Sequence, residues 1–124
     1  MTEIKEDYVS FEIAKLLKEK GFDIGVRYYY QKIDDDITYH IGDFRNWNVH
    51  DMWYSMPTQQ MAMKWLREVH KVNIEIPYNR FGENYKYLII HKPEVLDDIR
   101  SLGVFYHYED AVEEAIKYCL ENLI

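Results

Sequence analysis

The amino-acid sequence predicts an α+β fold in which three helices pack on an antiparallel sheet of two hairpins, in the order helix, hairpin, helix, hairpin, helix. Apolar residues recur at helical spacing in three separate segments of the chain. Between them lie stretches rich in Tyr, Ile and Val that flank turn-forming residues, as the strands of hairpins do. The 124 residues contain no linker or low-complexity tract, so we expect a single domain over residues 1–124.

The first helix is predicted to run from about Phe11 to Lys20. Ser10 precedes it, and the side chain of a serine at this position commonly accepts a hydrogen bond from the first turn. Gly21 follows it and can adopt the left-handed conformation that ends many helices. Phe22 is then placed to contact Leu17 and close the end of the helix.

The second and third helices are predicted from their apolar stripes. The second begins after Pro57 with Thr58 as its N-cap, and the third runs from about Tyr108 to Asn122. The predicted buried stripe of the second helix consists of Met61, Ala62, Trp65, Leu66 and Val69. The predicted apolar face of the third consists of Ala111, Val112, Ala115, Ile116, Cys119, Leu120 and Leu123.

Each predicted hairpin joins two strands across a polar turn. The four strands are Val26–Gln31, Ile37–Phe44, Val72–Tyr78 and Tyr85–His91. The Asp34–Asp36 cluster forms the first turn and residues 79–84 form the second. Pro77 cannot donate a backbone hydrogen bond, so we expect a sheet edge or a strand end there. Shorter extended segments are expected at Trp53-Tyr54 and near Gly103–Tyr106.

The tyrosine content is high, with twelve tyrosines in 124 residues. Successive side chains of a strand alternate between its faces, so Tyr29 must point away from Tyr28 and Tyr30. Three helices are few for covering both faces of a sheet, so we expect an exposed face that bears tyrosine and marks a contact surface. We therefore predict a homodimer, or otherwise a protein partner, with Tyr28, Tyr29 and Tyr30 at the contact.

Composition and charge disfavour several classes of partner. The formal net charge is −7 and no basic tail or stripe is present, so we expect no binding to nucleic acid. The even spread of charge also argues against an acidic mimic of nucleic acid. No apolar run approaches the roughly 18 residues that span a bilayer, so no membrane partner is expected. Met1–Asp7 contains no apolar leader and the lone Cys119 cannot form an internal disulfide, which predicts a cytoplasmic location.

The sequence predicts no catalytic residue, no metal site and no cofactor. None of the five histidines is spaced as in a recognised metal motif. Cys119 lies on the apolar face of the third helix, where a thiol is inert. The carboxylates of Asp34–Asp36 and Asp97-Asp98 lie in polar, turn-like contexts and are expected to be solvated. Neither a glycine-rich phosphate loop nor a nucleophile motif is present.

The start of the second helix is the best candidate for a ligand or partner site. Its N-terminus offers backbone N–H groups that an anion can contact, and two aromatic residues and two amides surround it. The candidate residues are Trp53, Tyr54, Thr58, Gln59, Gln60, Arg67 and His70. The alternative is a helix cap with exposed glutamines and aromatic residues in the core.

Several blocks of the sequence carry a family resemblance: Tyr8–Glu12, Ala14–Phe22, Pro57–Gln60, Lys64–His70 and Tyr108–Glu121. In these blocks the chain resembles a family of small uncharacterised proteins encoded by gut anaerobes and by their phages and mobile elements. The resemblance implies a small accessory protein rather than a metabolic enzyme. It carries no catalytic residue over to this chain.

The function predicted from the sequence is a non-enzymatic protein-interaction or accessory module inside the cell, of prophage origin if the resemblance holds. The alternative is a small-molecule-binding protein or an enzyme with a pocket beside the second helix. A concave pocket lined by Trp53, Tyr54, Arg67 and His70 is the feature that favours the alternative.

Overall fold

The structure, a computed structural model, describes residues 4–91 and 98–124. Asp97, one of the carboxylates considered above, lies outside the described residues, as does the beginning of the Met1–Asp7 segment. The fold is α+β, as predicted, with three α-helices and small antiparallel sheets. The chain groups into two compact units, one ending at Gln60 and one beginning at Met61. The single-domain expectation stays a prediction.

The elements follow one another along the described residues. The helices are α1 (Phe11–Glu19), α2 (Gln59–His70) and α3 (Tyr108–Asn122). The strands are β1 (Val26–Ile33), β2 (Asp36–Arg45), β3 (Trp53–Ser55), β4 (Val72–Glu75), β5 (Tyr78–Asn79), β6 (Asn84–Tyr85), β7 (Leu88–His91) and β8 (Ile99–Arg100). A short 3₁₀ helix, Trp47–Val49, lies between β2 and β3.

Helix α1 has the predicted caps at both ends. The Ser10 hydroxyl accepts a hydrogen bond from the Ile13 N–H at 3.3 Å. Gly21 adopts a φ of 90°, and the Phe22 N–H donates to the Leu17 carbonyl at 2.9 Å. This is the hydrogen bond that a left-handed glycine makes possible at a helix end.

The first unit contains a three-stranded antiparallel sheet in the order β2-β1-β3. Strands β1 and β2 form a hairpin closed by the pair Ile33 and Asp36, with Asp34 in the left-handed region at a φ of 54°. Strand β3 pairs with the other side of β1, where Tyr30 lies opposite Tyr54. Strand β2 is therefore an edge of this sheet.

The second unit differs from the predicted hairpin. Strand β4 pairs with β7, β8 joins the free side of β7, and β5 pairs with β6 in a separate two-stranded sheet. The pair Tyr78 and Tyr85 continues the register of β4 and β7, but the ladder is interrupted at Pro77, which has no N–H to donate. The predicted single sheet of two hairpins is therefore not confirmed. Near Gly103–Tyr106 the structure has only a bridge, between Tyr85 and Phe105.

The two later helices bury most of the residues predicted for them. Trp65 and Leu66 of α2 are buried, and α3 packs on β4 with six buried residues. The buried residues of α3 are Ala111, Val112, Ala115, Ile116, Cys119 and Leu120. Val69 departs from the prediction, because 55% of it is exposed. It lies in the last turn of α2, and periodicity defines the face of a helix but not how far the cover over that face extends.

Candidate functional site

Helix α1 covers part of one face of the first sheet. The Phe11 ring contacts the rings of Tyr30 and Tyr54 edge-on, at centroid distances of 5.6 and 4.9 Å. The Tyr30 hydroxyl donates to the Val9 carbonyl at 2.6 Å. Helix α1 packs on β3, and its Phe11 ring contacts Tyr30 of β1, so the helix covers these two strands.

The opposite face of the same sheet carries a small aromatic cluster. The Tyr29 ring stacks on Trp47 at 3.9 Å and lies 5.4 Å from Trp53. The Trp47 indole N–H donates to the Val26 carbonyl at 2.8 Å, and the Arg45 guanidinium lies 4.5 Å from the Trp47 ring. These contacts give the first unit a second packed layer on the side away from α1.

The tyrosines predicted at a contact surface take part in internal packing. Tyr29 points away from Tyr28 and Tyr30, as the alternation of strand side chains predicts. Tyr28 packs on Tyr8 at 4.8 Å, and all three tyrosines of β1 are only partly exposed. Their role in an interface stays a prediction, and the more exposed apolar side chains lie on the neighbouring strand.

The two aromatic residues of the predicted ligand site lie on opposite faces of the sheet. Trp53 packs with Trp47 and with the His50 ring, at 5.3 and 4.4 Å. Tyr54 contacts Phe11 on the α1 face. The structure therefore does not bring these two side chains to one surface.

The remaining residues of that predicted site lie along α2 and just before it. Thr58 forms a β-bridge with Tyr8, and the buried Gln59 donates its N–H to the Asp7 carbonyl at 2.8 Å. One N–H at the helix start is thus already bonded within the protein. Gln60 is exposed.

Arg67 and His70 lie in the later turns of α2. The Arg67 side chain is half exposed, 3.9 Å from the Glu68 carboxylate. The His70 ring packs edge-on against Trp65 at 4.6 Å, and its buried Nε2 has no hydrogen-bond partner among the described residues. Burial lowers the pKa of His70 below its ordinary value. As a binding site, the seven predicted residues remain a prediction.

Backbone hydrogen bonds define which groups of β1 point towards β3. The Met56 N–H donates to the Tyr28 carbonyl at 3.0 Å, and the Lys32 N–H donates to the Met52 carbonyl at 3.1 Å. Because the direction of these groups alternates along a strand, the intervening residues Tyr29 and Gln31 direct their N–H and C=O groups towards β2.

The register then defines the free edge of β2. Tyr29 lies opposite His40 and Gln31 lies opposite Thr38, so these residues of β2 bond to β1. The N–H and C=O groups of Ile37, Tyr39 and Ile41 point the other way. No described residue bonds to them, and we call these three residues the β2 edge.

The side chains of the β2 edge are apolar and exposed. Ile37, Tyr39 and Ile41 are 44%, 68% and 59% exposed, and all three point to the α1 face, beyond the part that α1 covers. Natural sheets usually protect an edge with charged side chains, proline or a bulge. The three residues of the β2 edge include no charge and no proline, and the register shift lies beyond Ile41.

A groove of about 570 Å³ adjoins the β2 edge. Its lining residues are Lys5, Glu6, Tyr8, Tyr28, Tyr39 and Met56. Burial raises the pKa of the Tyr8 hydroxyl above its ordinary value, and the neighbouring Tyr28 and Glu6 raise it further. Tyr39 therefore belongs both to the edge and to the groove beside it.

A second, smaller groove of about 350 Å³ is lined by Lys15, Lys18, Glu19, Asp51 and Tyr54. The Lys18 ammonium in this groove already has hydrogen-bond partners within the protein. The Lys18 ammonium donates to the carbonyls of His50, Asp51 and Trp53, the last at 2.8 Å, and lies 4.5 Å from the Tyr54 ring. Burial lowers the pKa of Lys18. These bonds attach the loop before β3 to α1.

Cys119, the cysteine that the sequence predicts to be inert, is buried in α3. Burial raises the pKa of the Cys119 thiol to about 12, which leaves it protonated and unreactive. Within residues 4–91 and 98–124, no three His, Cys, Asp or Glu side chains come together to hold a metal ion. None of the described helices combines the length and apolarity that crossing a bilayer requires.

Comparison with known proteins adds no identification: no family model, curated protein or solved structure matches the chain. Among the surfaces described above, the geometry best supports the β2 edge as the candidate site, although the sequence alone did not indicate it. Alternation at Ile37, Tyr39 and Ile41 was its only sequence signal, and alternation does not distinguish an edge strand from a central one.

Proposed function

We propose that this protein is a non-enzymatic protein-interaction module that binds an extended segment of a protein along the β2 edge. One observation carries the proposal. Ile37, Tyr39 and Ile41 combine backbone groups that no described residue bonds with exposed apolar side chains on a single strand.

The energetic logic is that of strand addition to a sheet edge. An added strand gains main-chain hydrogen bonds from the edge, and pockets for alternate side chains supply specificity. The β2 edge supplies three N–H and three C=O groups, and the groove between Tyr8, Tyr28 and Tyr39 adjoins them. The side chains of a partner strand that point to the α1 face lie next to Tyr39, at the border of this groove.

The alternative of a small-molecule site has less support. It requires a concave pocket with a few convergent polar groups. Trp53 and Tyr54 lie on opposite faces of the sheet, and the Lys18 ammonium of the smaller groove is bonded to three carbonyls. We therefore place the contact at the β2 edge.

Other parts of the proposal rest on the sequence. The net charge of −7 without a basic cluster supports a protein partner over nucleic acid. The cytoplasmic location, the lack of a membrane partner or cofactor and the origin in a phage or mobile element rest on the composition and on the resemblance described above.

Site-specific photo-crosslinking tests the proposal. A photoreactive phenylalanine analogue replaces Tyr39 in cells of the organism that encodes the protein, and the matched control carries it at Val49. Val49 is 70% exposed in the same unit, close to the 68% of Tyr39, but lies outside the β2 edge. We expect protein adducts from position 39 and few from position 49. Equal adduct formation at the two positions, or none at position 39, would contradict the proposal.

A further inference from the structure

The partner that the β2 edge fits best is a second copy of the same strand. We infer that two copies pair antiparallel through β2 about a two-fold axis at Tyr39, which joins their three-stranded sheets into one of six strands. The inference rests on the proposed function and names its partner. It moves the predicted dimer contact from Tyr28, Tyr29 and Tyr30 to the neighbouring strand.

The β2 edge is symmetric about its middle residue, Tyr39. A two-fold interface brings residue i against residue j and residue j against residue i. With the axis at Tyr39, Ile37 of each copy lies opposite Ile41 of the other, and the two Tyr39 residues face each other. Because these are the residues with outward backbone groups, this register forms six hydrogen bonds and leaves no group of the edge unbonded. A shift by two residues pairs only Tyr39 with Ile41 in one direction, and only Ile37 with Tyr39 in the other.

The two ends of the β2 strand also differ in charge. One end of the hairpin carries three aspartates, Asp34 and Asp35 in the turn and Asp36 at the start of β2, against the single cation of Lys32 on β1. The other end carries Arg45, together with Arg27, whose Nε donates to the Gly42 carbonyl at 3.5 Å, against the single carboxylate of Asp43. Antiparallel pairing brings the acidic turn of each copy towards the end of the other that bears Arg27 and Arg45, with Asp43 opposite Asp35 as the one like-charge pair. Parallel pairing places the two acidic turns side by side, which like-charge repulsion disfavours.

The β2 edge also offers enough exposed area for a weak dimer. An aromatic side chain such as Tyr39 can bury about 150–250 Å². With Ile37, Tyr39 and Ile41 exposed to 44%, 68% and 59%, the three side chains together offer on the order of 300 Å² per copy. Paired backbone and flanking residues add to this, and two copies together approach roughly 1,000 Å². That total lies at the lower limit for a specific interface, so we expect a dimer that dissociates on dilution.

Register-specific disulfide formation tests the inference on the full-length chain. Directly opposed residues in a hydrogen-bonded antiparallel pair have Cα atoms about 5.5 Å apart, a distance that a disulfide spans. Tyr39→Cys is therefore expected to form a covalent dimer under mild oxidation, visible as a doubled mass without reductant. Native Cys119 is fully buried, so the wild-type chain is expected to remain monomeric on the same gel.

Two control variants make the result specific. The Ile37 residues of the two copies are four positions apart in this register, about 13 Å along the strand, so Ile37→Cys alone should not crosslink. The double variant Ile37→Cys with Ile41→Cys should crosslink again, because these residues face each other. Val49→Cys matches Tyr39 in exposure but lies off the edge, and it should crosslink at only a background rate.

The inference is overturned if Tyr39→Cys crosslinks no faster than Val49→Cys, or if Ile37→Cys alone crosslinks as readily as Tyr39→Cys. The photo-crosslinking experiment tests the proposed function separately from self-pairing. Photo-adducts at position 39 with other proteins only, alongside a Tyr39→Cys chain that stays monomeric, reject self-pairing and keep the interaction edge. Absence of any position-39 adduct rejects the edge itself.

Discussion

At the scale of single residues, Lys18 is a charged side chain with a structural role. Its ammonium lies over the Tyr54 ring and donates to three carbonyls of the chain between His50 and Trp53. A charged donor contributes more than a neutral one, and removing it takes one hydrogen-bond donor away from each of the three carbonyls. No local pattern around Lys18 indicates this role, because its partners lie more than thirty residues away in the chain.

Replacing this lysine tests that role. We expect Lys18→Met to lower the free energy of unfolding by roughly 1.5–3 kcal/mol, since the methionine keeps the aliphatic stem but donates no hydrogen bond. Lys15→Met is the matched control, because Lys15 is exposed on the same helix and should change stability by less than about 0.5 kcal/mol. Urea unfolding measures both. An unchanged midpoint in Lys18→Met would show that the three bonds contribute nothing.

At the scale of elements, the features that the sequence predicted well are local ones. Ser10, Gly21 and Phe22 lie within a few residues of the helix ends they define, and Asp34 lies inside the turn it forms. Which strands become edges was not predictable in the same way. It depends on β3 returning to pair with β1 and on β8 joining β7, and neither pairing leaves a local pattern. The candidate site was missed because its defining property is the position of β2 in the strand order.

Close packing constrains the residue at position 42 of β2, which is a glycine. The Trp47 ring lies over Gly42, and a Cβ at position 42 would be 2.7 Å from the ring. Trp47 cannot move away easily, because two hydrogen bonds hold it. Its indole N–H donates to the Val26 carbonyl, and its backbone N–H donates to the Ser55 hydroxyl at 3.1 Å. The aromatic layer therefore requires glycine at this position of the strand.

A pair of glycine substitutions tests this packing. Gly42→Ala should lower the free energy of unfolding by about 1–3 kcal/mol through steric overlap with Trp47. Gly103→Ala is the control, because no atom lies within 4 Å of the added Cβ, and its effect should stay within about 0.5 kcal/mol. Thermal and urea unfolding of the two variants give the comparison. Equal stabilities would mean that the ring over Gly42 yields without cost.

At the scale of the whole molecule, the β2 edge is the surface through which we propose that the protein associates. Ile37, Tyr39 and Ile41 direct their N–H groups away from the sheet, whereas Thr38 and His40 bond to β1. Exchange of these five amide protons therefore separates the free edge from the folded sheet within the same strand.

Residue-resolved amide hydrogen exchange, measured by NMR from roughly 10 μM to 1 mM across the expected dissociation constant, tests the claim most directly. Thr38 and His40 should be protected at every concentration, which shows that the sheet is folded. The amides of Ile37, Tyr39 and Ile41 should exchange rapidly in dilute solution and become protected as the concentration rises. Rapid exchange of these three amides at the highest concentration, with Thr38 and His40 still protected, would contradict the claim that β2 pairs with a second copy.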